Sequence, residues 1–78
     1  MWLLTQSKQS IVHLNNFDSI DVDGHYVVAS KLGEERSVVI GIYYTEKEAE
    51  EVLEDIAKFI EDSQQIPFAE NNVIYITK

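Results

Sequence analysis

The 78-residue chain contains no cysteine, so disulfides, thiolate metal sites and thiol chemistry are closed to it. A cysteine-free chain suits a reducing compartment, and the reading is cytoplasmic. One proline and three glycines leave little material for flexible linkers or for a glycine-rich phosphate cradle; Gly24, Gly33 and Gly41 stand apart from one another. Basic residues are also few. Lys8, Lys31, Arg36, Lys47, Lys58 and Lys78 are scattered among 14 acidic residues, for a net charge of −8. Nucleic-acid affinity comes mostly from Lys and Arg on phosphates, so direct binding to DNA, RNA or an anionic membrane is not expected. Long apolar runs are missing too. Met1 to Leu4 is too short for a signal-peptide core, and the run 38–44, broken by Gly41, falls far below the ~20 residues that span a bilayer.

Catalytic signatures are equally sparse. No serine sits in a Gly-x-Ser-x-Gly elbow, and His13, in a short apolar segment, has no evident acid–base partner. The cluster Asp21-Val22-Asp23-Gly24-His25 gathers two carboxylates and an imidazole. It lacks both the closing glutamate of a calcium loop and the helical histidine spacing of a zinc protease. Its plain reading is a hairpin tip; its functional reading is a metal- or ligand-binding module. The expectation is a non-enzyme with no catalytic residue, no cofactor and no metal.

The composition that remains, 45% hydrophobic and 26% charged, is that of one small globular domain. Apolar and β-branched residues alternate or cluster in five segments, about 2–5, 11–14, 17–22, 26–32 and 37–43. Asp23-Gly24 marks a hairpin turn. A two-residue loop would pair Val22 with His25, and a three-residue loop would pair Val22 with Tyr26; the choice stays open because a one-residue slip turns every side chain over. In the fifth segment, Val38, Ile40 and Ile42 alternate with Ser37, Val39, Gly41 and Tyr43, which predicts a central strand with apolar residues on both faces.

The period then changes from two to 3.6 residues. Thr45-Glu46-Lys47-Glu48 matches a capping box, with Tyr44 and Ala49 at staple positions. Ala49, Val52, Leu53, Ile56, Ala57 and Ile60 follow helical spacing, predicting a helix over about 46–62. Ser63-Gln64-Gln65 should end it, with Pro67 preventing resumption, Asn71-Asn72 is a turn signal, and 73–76 reads as a short last strand, with 64–78 an arm or loose tail as the alternative. The expected fold is α+β: a mostly antiparallel sheet of four to five strands with one long helix packed on one face.

The helix carries eight acids against two lysines between Thr45 and Ser63, which is −6 of the total −8. A solvated face that keeps the molecule soluble explains this most simply; an acidic inhibitor or DNA mimic that binds a basic nucleic-acid enzyme is the functional alternative. One helix covers only one sheet face, so strand curvature or a second copy is expected to cover the remainder. A chain this short buries only about 60% of its unfolded surface and gains from self-association, so a homodimer is expected. Candidate interface residues are Trp2, Val39 and Tyr43 on the sheet and Glu50, Glu51 and Glu54 on the helix. Trp2 also reads as a cap on the core.

The opening Met1-Trp2-Leu3-Leu4-Thr5-Gln6-Ser7-Lys8, with Ile11-Val12-His13-Leu14-Asn15-Asn16, Ile40-Gly41-Ile42-Tyr43 and Thr45-Glu46-Lys47-Glu48-Ala49, resembles a group of small uncharacterised proteins of low-GC Gram-positive bacteria. The resemblance implies a prophage or mobile-element accessory protein, and it implies no activity, cofactor or catalytic residue. The expected function is therefore that of a small accessory protein acting through protein–protein contacts.

Overall fold

The computed structural model describes residues 1–63 and 73–76. The chain is α+β, with one long helix and two three-stranded sheets among the described residues. The first sheet has the order β2-β1-β6, built from β1 (Trp2–Leu4), β2 (Ile11–His13) and β6 (Val73–Tyr75). The second is the meander β3-β4-β5, built from Ser19–Asp23, Tyr26–Ser30 and Ser37–Ile42. Helix α1 runs from Glu46 to Ser63.

Two sheets replace the single one expected. The division falls where β2 gives way to a 3₁₀ turn, Leu14–Asn16, in a stretch whose apolar character had suggested strand up to Leu14. His13 caps that turn: its Nδ1 accepts the Asn15 N–H at 3.2 Å, and the Phe17 N–H returns to the Leu14 carbonyl at 3.1 Å. A short polar pair after a histidine can satisfy its own backbone locally, and that competes with strand pairing. Strand β3 therefore starts at Ser19 and not at Phe17. The pairing of β6 with β1 is parallel, Leu3 opposite Ile74, whereas every other strand pair is antiparallel. Parallel partners need a long crossover, which the chain through α1 supplies. Ser63, where the stop was expected to begin, is the last residue described in α1; Gln64, Gln65, Pro67 and the Asn71-Asn72 turn lie outside the described residues.

The hairpin register follows neither of the two alternatives. Val22 pairs with Val27 and Asp23 with Tyr26, so the loop is Gly24-His25 and Asp23 belongs to the strand. Gly24 has φ +62° and His25 is not among the positive-φ residues, the sign pattern of a type II′ turn with glycine first. This register places Ile20 and Val22 on the same face as Ala29 and Val27, and an apolar face that matches across strands is what sets register. His25 is held from the other side: its Nδ1 donates to the Tyr43 carbonyl at 2.7 Å, and its own carbonyl accepts the Tyr43 N–H at 2.9 Å.

Strand β5 carries a β-bulge. Val27 opposes Gly41 while Val28 opposes Val39, which leaves Ile40 as the extra residue. The insertion changes the alternation midway. Val39 faces out, Ile40 and Gly41 are both buried, Ile42 faces out, and Tyr43 turns inward at 6% exposure. The bulge also joins the two sheets. The freed Ile40 carbonyl accepts the Gln6 N–H at 2.9 Å, and the Gln6 Oε1 accepts the Ile42 N–H at 2.8 Å.

The core lies between α1 and the inner faces of both sheets. Ala49, Val52 and Ile56 of the helix join Val27, Ala29, Ile40 and Tyr43 of one sheet and Leu3 and Ile74 of the other. The helix starts where predicted. Thr45 Oγ1 accepts the Glu48 N–H at 3.1 Å. The staple is not made, because Tyr44 is 96% exposed. Ala57, placed in the apolar stripe by spacing, is exposed. No helix among the described residues is long and apolar enough to cross a membrane.

Candidate protein interface

Each sheet turns one face to the core, and alternation sends the remaining residues outward. On the meander, the outward row is Asp21 and Asp23 on β3, Tyr26 and Val28 on β4, and Val39 and Ile42 on β5. Tyr26, Val39 and Ile42 are exposed and contiguous, with the two aspartates along one edge. On the other sheet, the outward residues are Trp2 and Leu4 of β1, Ile11 and His13 of β2, and Val73 and Tyr75 of β6. Here Trp2 stands edge-on to His13, ring centroids 4.5 Å apart at 76°. Both outer faces are thus rich in apolar side chains, beyond the single large apolar patch usual on a monomer surface.

The six candidates from the sequence are divided among separate surfaces. Trp2 lies on the outer face of the first sheet, not in the core, and Val39 lies on the outer face of the second. Glu50 and Glu54 are exposed on α1, and Glu51 is half-buried. Tyr43 is buried and so is no surface contact; the bulge at Ile40 reverses the alternation that had put it beside Val39. Its ring lies over Gly41, where a Cβ would stand 2.6–2.9 Å from the Tyr43 Oη, Cε2 and Cζ atoms. Ile11, Ile42 and Tyr75 belong to the exposed faces but were not singled out by sequence. The alternation of β5 could not reveal Ile42 without knowledge of the bulge, and a three-residue strand is too short for its own alternation to identify Ile11 or Tyr75.

The hairpin tip has local tasks for each polar residue. Asp21 accepts the Ser19 Oγ–H at 2.8 Å, Asp23 pairs across to Tyr26, and His25 binds the Tyr43 backbone while its ring packs on Tyr26 at 4.4 Å. Among the described residues, no group of three His, Cys, Asp or Glu side chains is placed to hold a metal ion.

An open cleft of about 510 Å³ is lined by Gln6, Ile42, Tyr43, Tyr44, Glu48 and Glu51. Burial first, and the Glu48 carboxylate second, push the Tyr43 phenol above its ordinary 10.0, away from the range useful to a general acid near neutrality. Two apolar grooves flank the helix. One of about 170 Å³ lies against β6 at Val52, Ile56, Phe59 and Ile74; another of about 290 Å³ lies against β3 at Phe17, Ile20, Leu53 and Ile60. Both fall short of the ~300–1,000 Å³ typical of a small-molecule site.

No protein-family model matches this chain, no curated protein matches it, and no solved structure matches it.

Proposed function

We propose that this chain is a small, non-enzymatic accessory protein of the cytoplasm that acts through protein–protein contacts and associates with itself as a homodimer. The observation that carries the reading is the pair of apolar outer sheet faces, exposed at Trp2, Ile11, Tyr26, Val39, Ile42 and Tyr75 on a chain whose helix α1 packs on the inner side. Leaving such surface in water forgoes roughly 25 cal/mol for each Å² that a partner would bury. Nucleic acid and anionic membrane are poor partners for a chain of net charge −8. The acidic helix serves this reading by keeping the molecule soluble while the sheets make contact.

Sedimentation velocity over a range from about micromolar to about millimolar tests it. The expected result is a sedimentation coefficient that climbs from the monomer toward the dimer value. A single monomer species across the whole range would defeat the homodimer.

A further inference from the structure

We infer that the face on which two copies of this chain meet is the outer face of the β2-β1-β6 sheet, with Trp2 at its centre. This rests on the self-association proposed above and assigns it to one of two available faces. The distinction comes from charge. Two copies of a molecule at −8 approach most readily where each carries least charge. The helix holds −6 and excludes itself. The outer face of the meander carries Asp21 and Asp23 beside its apolar strip, and a face-to-face contact there would cover carboxylates. Among the described residues, the outward positions of the other sheet are Trp2, Leu4, Ile11, His13, Val73 and Tyr75, with no Asp, Glu, Lys or Arg among them.

The area sets the strength. Trp2, Ile11 and Tyr75 remain 37%, 53% and 66% exposed. With each aromatic able to bury ~150–250 Å², the face offers on the order of 400 Å² per copy. A standard interface takes roughly 800 Å² from each partner, so the contact belongs to the weak, concentration-dependent class. Aromatic anchors ringed by smaller apolar residues, with charge kept outside, are the composition such a contact uses.

Trp2 is the only tryptophan in the chain, so its emission reports on this face alone. The experiment combines sedimentation velocity with Trp2 fluorescence, from about micromolar to about millimolar protein, for the full chain and the variants Ile11→Glu, Tyr75→Glu and Ile42→Glu. The last substitutes an equally exposed residue on the meander and serves as the control. Tyr75→Ser is the milder companion, and far-UV circular dichroism verifies that each variant folds. For the full chain, Trp2 emission should shift to shorter wavelength as dimer forms. Glutamate at Ile11 or Tyr75 should weaken association by more than about tenfold and abolish the shift, because it sets like charges across the contact. Ile42→Glu should leave both unchanged. Association that survives at Ile11 and Tyr75 but fails at Ile42 overturns this assignment and leaves the homodimer standing on the meander. A full chain that stays monomeric with constant Trp2 emission overturns both and leaves the face to a different polypeptide.

Discussion

Single residues set the geometry of β5. Gly41 is the position where the Tyr43 ring rests on the strand, and any Cβ there would overlap the ring. Gly41→Ala should therefore cost about 1–3 kcal/mol, as overpacking against a ring does, and urea denaturation would measure it. Tyr43 itself carries an alkaline signature. Its folded-state pKa lies above the 10.0 of the free phenol, so the unfolded chain ionises first. The stability it contributes is complete below about pH 10 and is lost as pH rises through the folded value. Stability measured from pH 9 to pH 11.5 should decline, and Tyr43→Phe, which keeps the ring and removes the proton, should flatten that decline. Lys8 is the opposite case to Gly41. It holds φ +62°, a left-handed conformation that strains a side-chain-bearing residue, in the turn where its N–H bonds the Thr5 carbonyl at 2.9 Å. Lys8→Gly should stabilise the fold by about 0.5 kcal/mol, net of the entropy a glycine brings to the unfolded chain. A loss would show that the strain is relieved elsewhere.

At the scale of elements, α1 begins on a side chain and β5 bends on an insertion. Thr45 satisfies the third helical N–H, so Thr45→Ala should cost about 1 kcal/mol and Thr45→Ser almost nothing, a difference readable from thermal melts of the three proteins. The hydrophobic staple plays no part, since Tyr44 stands in solvent. The helix was legible in the sequence because a 3.6-residue stripe and a capping threonine are local signals. The hairpin was legible only in outline. Asp-Gly favours one turn type, but the fold uses Gly-His, since matching Ile20 and Val22 to Ala29 and Val27 outweighs the intrinsic preference of two turn residues. The break after β2 escaped for a related reason: a histidine cap followed by two asparagines competes with a strand of only three residues, and neither side of that competition shows in apolar pattern.

At the scale of the whole molecule, charge and apolar surface are separated. The helix carries the acidity on its solvent side, and two sheet faces carry the apolar residues. Self-repulsion within a chain of −8 lowers stability, so salt should raise it. From about 0.02 M to about 0.5 M NaCl the screening length falls from ~20 Å to ~4 Å, and the melting temperature should rise by a few degrees. A melting temperature that falls with salt would mean that local ion pairs, such as those open to Lys47 and Lys58, outweigh the repulsion. Of the candidate surface, the sequence could mark residue types but not their grouping. Trp2 and Val39 share apolar character and lie on different sheets, and Tyr43 moved from surface to core through one inserted residue.

The sequence alone determined what depends on neighbours a few positions apart: the α+β class, the helix and its start, the acidity of that helix, and the lack of thiol chemistry. Periodicity, capping and composition act over such distances. Tertiary structure decided everything that depends on pairing between distant segments. The division into two sheets, the parallel return of β6 beside β1, the hairpin register and the bulge at Ile40 each arise from backbone groups that meet only once the core has formed. Which apolar residues stay outside follows from those pairings, because a shift of one residue in a strand exchanges its two faces.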